Sequence, residues 1–233
     1  MKMNHQGKRA IVTGAGSGIG LAISTLLIDL GYHVYGVGRT ESKLVDAASQ
    51  LGNQFTPVVL DVSDSQAVES WFSGLNQPVD VLVNNAGLAI FSPVDEQQVA
   101  DWDTMVGVNL SGVFYMTRLA AANMKQNKTN GYIINIASVA GLIGNPNLSG
   151  YNATKFGLRG FSEATMKELR PFGIRVSCIF PGSVATPFFT DKGIATHDNM
   201  LQTQDIADAV HFLLALPQRA LVDELVMRPT NPR

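Results

Sequence analysis

The residues best suited to chemistry in this chain are Tyr151 and Lys155, which stand four positions apart. On a helix, residues at this spacing lie on the same face, so a phenol and an ammonium can approach each other. An unperturbed tyrosine titrates near pH ~10, and a fixed positive charge nearby favours the phenolate and lowers that pKa. Such a tyrosine can give or take a proton near neutral pH. Taken alone, the pair is more typical of a solvated helix face, so the rest of the chain must decide.

A glycine-rich segment near the start of the chain is suited to binding a dinucleotide. Its glycines follow the pattern G-x-x-x-G-x-G at Gly14, Gly18 and Gly20, rather than the common G-x-G-x-x-G. Glycines between a strand and a helix permit a tight turn and let backbone N–H groups approach a phosphate. A glycine-rich turn without a ligand is the alternative. The cofactor contacts predicted here are Gly14, Gly16, Ser17, Gly18, Ile19 and Gly20.

The end of the second predicted strand indicates which dinucleotide is bound. NAD-binding proteins usually place an Asp or Glu there for the ribose 2′-hydroxyl. This chain has Gly38, Arg39 and Thr40 instead. Arg39 can offer a planar, bidentate cation to a 2′-phosphate, which a carboxylate would repel. We therefore expect NADP (NADPH) as the cofactor, and NAD is the alternative if Arg39 is only a solvated residue at a helix start.

Short apolar runs alternate with helical patterns along the chain. Predicted strands cover residues 9–13, 33–37, 56–60, 79–83, 132–136, 174–180 and 221–227. Predicted helices cover residues 19–30, 41–50, 64–72, 96–125 with a break near Gly107, 150–170 and 203–216. Because the strands are apolar throughout rather than alternating, they indicate a parallel sheet buried on both faces. We expect a single α/β domain over residues 1–233: a doubly wound Rossmann-type parallel β-sheet of about seven strands with helices on both faces.

The composition excludes several classes of function. The 17 Lys and Arg against 19 Asp and Glu give a net charge of -2, so nucleic acid and anionic membrane are poor partners. The single Cys178 lies in an apolar run and predicts a buried, inert thiol. The histidines have no metal-ligand spacing, so no metal is expected. The polar first residues and the lack of an apolar run of ~18 residues predict a cytoplasmic protein.

Taken together, these motifs resemble the short-chain dehydrogenase/reductase family from about residue 8 to residue 227. The glycine-rich segment matches the family's cofactor loop, and Ser138 precedes Tyr151 by 151 − 138 = 13 positions. The remaining matches are Asp61 and Val62 after the third strand, Asn84, Asn85, Ala86 and Gly87 after the fourth, Asn109 in the next helix, and Pro181, Gly182, Val184 and Thr186 after the sixth.

The resemblance implies hydride transfer between a nicotinamide and a carbonyl or secondary alcohol carbon. It implies that Tyr151 is the general acid or base, and that Lys155 holds the nicotinamide ribose and lowers the pKa of Tyr151. Ser138 would hydrogen-bond the substrate oxygen, and Asn109 would hold a water linked to Lys155. The further cofactor contacts implied are Asp61, Val62, Asn85, Ala86, Gly87, Tyr151, Lys155, Pro181, Gly182, Val184 and Thr186.

Two departures from the family pattern limit what the resemblance implies. The tail at residues 222–230 is not the Gly-rich segment usual in the acyl-carrier-protein reductases. This weakens an assignment to fatty-acid synthesis and to a tetramer. Ser17 stands where many NADP-dependent members carry Arg or Lys, so the expectation of NADP depends on Arg39 and on the missing acid.

The segments expected to surround the substrate are mainly apolar. Two sets of predominantly apolar positions indicate a small or medium hydrophobic ketone or aldehyde: Ala89, Ile90 and Phe91, and Ala140, Leu142, Ile143 and Asn145. The loop at 188–201 is mixed, has no cluster of Arg or Lys that would bind a phosphate, and contains His197, which is expected to be solvated. By resemblance we expect a homodimer, with a homotetramer as the alternative. Two other functions remain open at this point: an NAD-linked alcohol dehydrogenase of the same family, and a non-catalytic NADP-binding regulator.

Overall fold

The computed structural model describes residues 5–190, 193 and 195–230. Within them, one sheet of seven parallel strands runs in the order β3-β2-β1-β4-β5-β6-β7, which confirms the predicted sheet. The strands are β1 Arg9–Thr13, β2 His33–Gly38, β3 Phe55–Val59, β4 Val81–Asn84, β5 Tyr132–Ile136, β6 Arg175–Pro181 and β7 Glu224–Met227.

Helices cover both faces of this sheet. They are α1 Gly18–Asp29, α2 Glu41–Leu51, α3 Ser65–Gly74, α4 Val99–Val106, α5 Gly112–Asn127, α6 Ser149–Leu169, α7 Pro187–Thr190 and α8 Thr203–Ala215. On one face α1 packs against α8, and on the other α3 packs against α5. The predicted helix break is confirmed, because a π-helical turn at Gly107–Ser111 separates α4 from α5. The short α7 was not predicted.

The apolar runs form strands because both of their faces are covered by helices. Ala10, Ile11 and Val12 of β1 are all 0 % exposed, and their side chains alternate between two apolar clusters on opposite sides of the sheet. Ala10 and Val12 face the cluster that includes α1 and α8, and Ile11 faces the cluster that includes α5.

The strand order places a crevice at the centre of the sheet. Strand β1 is bordered by β2 on one side and by β4 on the other, so the chain reverses its direction of winding at this point. In open parallel sheets, ligands bind at the carboxyl ends of the strands beside such a switch point. The loops after β1, β4, β5 and β6 carry most of the predicted site residues, and they all open at this edge.

In the part of the chain that the structure describes, no helix combines the length and the hydrophobicity needed to cross a lipid bilayer.

Candidate active site

A cavity of about 640 Å³ opens at the carboxyl ends of the strands. Its size lies within the range of small-molecule sites, about 300–1,000 Å³. Most of the predicted site residues line it. They are Gly14, Gly16, Ser17, Gly18, Ile19, Arg39, Asp61, Val62, Asn85, Ala86, Gly87, Ser138, Tyr151, Lys155, Pro181, Gly182, Val184 and Thr186. The predicted residues Gly20 and Asn109 do not line the cavity.

The glycine loop has the geometry that a closely bound dinucleotide requires. Gly14 has φ +67°, and a Cβ added there would lie 2.9 Å from Nδ2 of Asn85. A Cβ on Gly20 would lie 2.2 Å from the carbonyl oxygen of Gly14, so no larger residue fits. The loop therefore leads into α1 with its backbone facing the cavity. This cradle suits the pyrophosphate of a dinucleotide, which explains why Gly20 matters without lining the wall.

Thr13 joins the glycine loop to the loop after β4. Its hydroxyl accepts hydrogen bonds from the backbone N–H groups of Asn85 and Ala86, each at 2.9 Å. The amide of Asn85 returns a bond to the carbonyl oxygen of Thr13, also at 2.9 Å. Because these groups bond one another, the two loops form one wall across the switch point.

Ser138 and Tyr151 together line the other end of the cavity. Ser138 follows β5, and Tyr151 lies in the first turn of α6. The hydroxyl of Ser138 accepts a hydrogen bond from the backbone N–H of Ala140 at 3.1 Å, and it lies near enough to the Tyr151 phenol to influence the pKa of that phenol. Burial raises the pKa of Tyr151 to about 12, and the Ser138 hydroxyl opposes that rise. The phenol is therefore protonated at neutral pH.

Lys155 lies one helical turn beyond Tyr151 and is buried. Its ammonium donates a hydrogen bond to the carbonyl oxygen of Ile136 at 3.1 Å and lies 5.7 Å from the centre of the Tyr151 ring. Burial lowers the pKa of Lys155 to about 8, so the group is mostly charged at neutral pH. It lines the same cavity as Gly87 and Ser138.

The expectation that Lys155 lowers the pKa of Tyr151 is wrong for the contacts in this structure. The two residues share a helix face as predicted, but the ammonium is directed towards Ile136. Desolvation is the largest influence on the phenol, and it favours the neutral form. A lower pKa would require a further positive charge close to the phenol.

Asn109 is a fully buried clamp beside the cavity. It lies within the π-helical turn, is 0 % exposed, and bonds both backbone groups of Leu88: it donates to the carbonyl oxygen at 2.7 Å and accepts from the N–H at 2.9 Å. Its amide also donates to the hydroxyl of Thr154 at 3.1 Å. Asn109 thus ties the loop after β4 to the helix that carries Tyr151 and Lys155.

Two cations and one carboxylate line the opposite end of the cavity. Arg39, at the end of β2, lies with its guanidinium 3.8 Å from the carboxylate of Asp61. That carboxylate also accepts bonds from the backbone N–H and hydroxyl of Ser63, at 2.9 and 2.7 Å. Lys43, in the first turn of α2, lines the same wall.

The sequence matches the family model for the short chain dehydrogenases over residues 8–196. The chain belongs to the short-chain dehydrogenase family. This confirms the resemblance inferred from the motifs.

Known members of the short-chain dehydrogenase family are similar over almost the whole chain. An uncharacterized oxidoreductase of Staphylococcus aureus (strain USA300) is 37% identical over 226 residues, which cover 95% of this chain and 97% of the relative. A serine dehydrogenase structure in its closed form with NADP+ has a TM-score of 0.88 at 34% identity and covers 94% of each chain. An alcohol dehydrogenase from the archaeon Thermococcus sibiricus with 5-hydroxy-NADP has a TM-score of 0.89 at 31% identity, covering 97% of this chain and 98% of its own.

Sequence reasoning missed several residues that line or support this cavity. Lys43 lines the cavity one helical turn after Arg39, and this spacing is the signal that could have found it. Asn152 follows Tyr151 and was not singled out. Of the apolar residues expected near the substrate, Phe91 and Ala140 line the cavity, whereas Leu142 and Ile143 do not. The wall residues missed near Tyr151 are Val139, Leu148 and Pro187, whereas Phe188 belongs to the expected substrate loop and lines the cavity.

The remaining predicted residues that the structure describes do not line the cavity. His197 is exposed, as a solvated loop residue should be. Cys178 is buried, and burial raises its pKa to about 12, so the thiol is unreactive as expected. Asp191, Lys192 and Ile194 of the expected substrate loop lie outside the described residues. Among the residues that are described, no group of three or more His, Cys, Asp or Glu could hold a metal ion.

Proposed function

We propose that this chain is an NADP(H)-dependent dehydrogenase/reductase that interconverts a carbonyl compound and a secondary alcohol. The observation that carries the proposal is the placement of the Ser138 hydroxyl beside the protonated phenol of Tyr151 and the buried ammonium of Lys155. All three side chains line a cavity whose far end carries Arg39.

The residues of the cavity fit a nicotinamide dinucleotide. Gly14, Gly16 and Gly20 of the glycine loop have no room for a Cβ against neighbouring protein atoms, and α1 begins within this loop. Asp61 and Val62 would border the adenine, and Asn85, Ala86 and Gly87 would border the riboses. Pro181, Gly182, Val184 and Thr186 would border the nicotinamide. When bound there, the cofactor supplies or accepts the hydride.

Tyr151 would supply the proton that carbonyl reduction needs. The carbonyl oxygen of the substrate would accept hydrogen bonds from Ser138 and Tyr151, which hold the carbonyl carbon beside the nicotinamide subsite. The phenol gives its proton to that oxygen as the carbon receives the hydride, and the product is the neutral alcohol. Because the pKa of Tyr151 is about 12, its proton is in place throughout the neutral range.

The positive charge of Lys155 would stabilise the buried phenolate that remains on Tyr151 after it has given up its proton. Its ammonium lies beside the ring and has only one backbone acceptor among the described residues, the carbonyl oxygen of Ile136. An ammonium has three donors. Two remain for the ribose hydroxyls of a bound nucleotide and for a path that returns a proton to Tyr151.

NADP is favoured over NAD by the charges at the far end of the cavity. Arg39 takes the place of the acid that would bond a free 2′-hydroxyl. The serine dehydrogenase and the archaeal alcohol dehydrogenase that resemble this chain were solved with NADP+ and 5-hydroxy-NADP. An NAD-linked alcohol dehydrogenase is the second candidate. The ratio of NADP to NAD affinities, and its loss in Arg39→Ala, separates the two.

The substrate end of the cavity favours a small or medium ketone or aldehyde. Phe91, Leu148 and Phe188 supply apolar wall, and Asn145 supplies an amide. The ring centres of Tyr151 and Phe188 are 6.4 Å apart, so Phe188 borders the place where the carbonyl would sit. An apolar side chain on the substrate would be desolvated there.

The decisive variant is Tyr151→Phe, tested by NADPH absorbance over a panel of ketones and aldehydes. Removing one hydroxyl should lower turnover by at least about 10²-fold, since general acid catalysis contributes on the order of 10²–10⁴. NADPH affinity should stay within about twofold. Tyr115→Phe, on α5 and away from the cavity, is the matched control. Turnover of Tyr151→Phe within about tenfold of wild type would remove Tyr151 from the mechanism.

The same panel tests the non-catalytic alternative. Tight NADPH binding with no turnover of any carbonyl compound would favour a regulator that senses NADP. The presence of Ser138, Tyr151 and Lys155 together argues against a regulator, because a sensor has no need of a proton donor in its cavity.

We also propose that the chain forms a homodimer through α5 and α6. Phe114 of α5 is 46% exposed and Phe156 of α6 is 44% exposed, and both are large apolar side chains on neighbouring helices. Covering them against the same helices of a second copy would give a self-complementary interface. Light scattering should report twice the mass of the chain, and a monomer would contradict the proposal.

A further inference from the structure

Lys43 is a cation of the cavity wall with no role in the function described above. It stands in the first turn of α2, four residues after Arg39 in the chain. Its backbone and Cβ lie directly over the glycine loop: a Cβ added to Gly16 would be 3.0 Å from the Cβ of Lys43. Within the described residues, no hydrogen bond or ion pair holds its ammonium. Lys43 therefore projects from a fixed backbone position beside the loop that would hold the pyrophosphate.

The charges around Arg39 leave a phosphate there incompletely neutralised. The guanidinium of Arg39 lies 3.8 Å from the carboxylate of Asp61, so part of its attraction for an anion is offset. A phosphomonoester carries about −1.5 to −2 at neutral pH. Ser17, which follows Gly16 in the glycine loop, is uncharged. Arg39 and Asp61 without Lys43 would present almost no net positive charge to such a dianion.

The place of Lys43 on its helix also points to an anion. A cation in the first turn of a helix lies against the positive end of the helix dipole, which is unfavourable, and Glu41 in the same turn offsets part of this. The N-cap residue Thr40 makes no side-chain hydrogen bond to the first backbone N–H groups. An anion between Arg39 and Lys43 would lie close to these groups and would remove the conflict.

We propose that Lys43 is a second cation for the 2′-phosphate of NADP and shares with Arg39 the discrimination against NAD. This inference rests on the proposed function, and it adds a residue to the part of the site that recognises the nucleotide. Arg39 supplies a planar fork for two phosphate oxygens, and Lys43 supplies a flexible point charge from the side of the glycine loop.

Binding of adenosine fragments tests the proposal without any substrate or turnover. Isothermal titration of the full chain with 2′,5′-ADP and with 5′-AMP isolates the 2′-phosphate. Lys43→Gln should weaken 2′,5′-ADP about tenfold, as expected for one charge-assisted bond, and should leave 5′-AMP within about twofold. Lys43→Arg should retain most of the affinity. Lys167→Gln, an equal change of charge on the exposed face of α6, should change neither fragment.

The outcomes separate this proposal from the function on which it rests. If the wild-type chain binds 2′,5′-ADP no better than 5′-AMP, the preference for NADP itself is refuted. If the wild-type chain prefers 2′,5′-ADP and Lys43→Gln keeps that preference, NADP stands and Lys43 is excluded. Equal weakening of both fragments would also exclude it, because the effect would then not depend on the 2′-phosphate. Lys43 is exposed, so these variants should fold.

Discussion

The loop that carries Ser138 depends on one buried amide, and we expect Asn152→Ala to loosen the site. Asn152 follows Tyr151 on α6 and is 7% exposed. Its amide donates to the carbonyl oxygens of Ala140 at 2.5 Å and Ile143 at 2.7 Å, and its oxygen accepts from the backbone N–H of Asn145 at 3.0 Å. One side chain therefore joins three backbone groups of residues 140–145 to the helix that carries Tyr151.

The size of the effect follows from what happens to those three groups. Ala140 is buried, so its carbonyl oxygen would be left without a partner, at a cost of about 1–3 kcal/mol. Ile143 is 44% exposed and Asn145 is half-buried, so water can reach their backbone groups and each lost bond costs roughly 0.5–1.5 kcal/mol. These costs sum to about 2–6 kcal/mol, so we expect Asn152→Ala to lower the free energy of unfolding by about 4 kcal/mol. That is less than the stability of most domains, about 5–15 kcal/mol.

Activity should fall further than cofactor affinity. The N–H of Ala140 bonds the hydroxyl of Ser138, so a shift at Ala140 moves the group that would hold the substrate oxygen. The glycine loop and Arg39 are on other segments. Urea unfolding should show the loss of unfolding free energy given above. NADPH titration should show an affinity within about twofold of wild type. In carbonyl reduction, kcat should fall about tenfold or more.

The isosteric variant Asn152→Asp gives a sharper test. It keeps the acceptor for Asn145 but turns a carboxylate oxygen towards two carbonyl oxygens. That repulsion and burial raise the pKa of the new carboxyl above its unfolded value. Its protonated form can donate, so the loss of stability should grow as pH rises through the folded pKa and shrink in acid. Asn145→Ala, which removes a single weak bond of 3.4 Å, is the control. Unfolding of Asn152→Ala within about 0.5 kcal/mol of wild type would refute the reasoning.

Two further predictions concern the glycine loop and the buried ammonium. Gly20→Ala should abolish nucleotide binding and destabilise the fold, because its Cβ would lie 2.2 Å from the Gly14 carbonyl oxygen. Gly160→Ala meets nothing within 4 Å on α6 and should instead add about 0.5–1 kcal/mol. Differential scanning calorimetry and NADPH titration compare the two, and equal effects would contradict the cradle. For Lys155, burial lowers the pKa from 10.5 to about 8, so the unfolded chain binds more protons than the folded chain between these values. The free energy of unfolding should therefore rise by about 3 kcal/mol from pH 8 to pH 10.5 relative to Lys155→Met, and parallel pH profiles of the two proteins would refute the assignment.

The fold could be predicted because each of its strands is an apolar run of its own. Burial on both faces leaves a continuous pattern in β1 and β4, and the loops that follow carry motifs of fixed spacing. Boundaries were less certain: the fourth strand was expected at 79–83 and is Val81–Asn84. The carboxylate of Asp80, just before this strand, accepts a bond from the backbone N–H of Arg9, so the residue serves the neighbouring strand. A hydrogen bond between residues so far apart in the chain cannot be predicted from the local sequence pattern.

The parts of the site that the sequence did not predict depend on packing between segments. Lys43 reaches the cavity only because α2 lies against the glycine loop at Gly16. Asn152 matters because a loop twelve residues earlier in the chain folds back onto it. The spacing of Arg39 and Lys43 suggests that the two side chains are close, but it does not show that α2 lies against the glycine loop, and the contacts of Asn152 have no signal in residue type or spacing.

The direction of the Tyr151 pKa shift also depends on packing between segments, which the sequence does not show. The spacing of Tyr151 and Lys155 indicates that a positive charge is near the phenol, but it does not indicate how much water both groups lose. Burial drives each group towards its neutral form, so the pKa of Tyr151 rises to about 12 while that of Lys155 falls to about 8. The site therefore holds a neutral phenol beside one mostly charged ammonium at neutral pH. This arrangement favours giving a proton to a carbonyl oxygen over taking one from an alcohol. Alcohol oxidation would need a further positive charge near the phenol, and an oxidised nicotinamide ring carries such a charge.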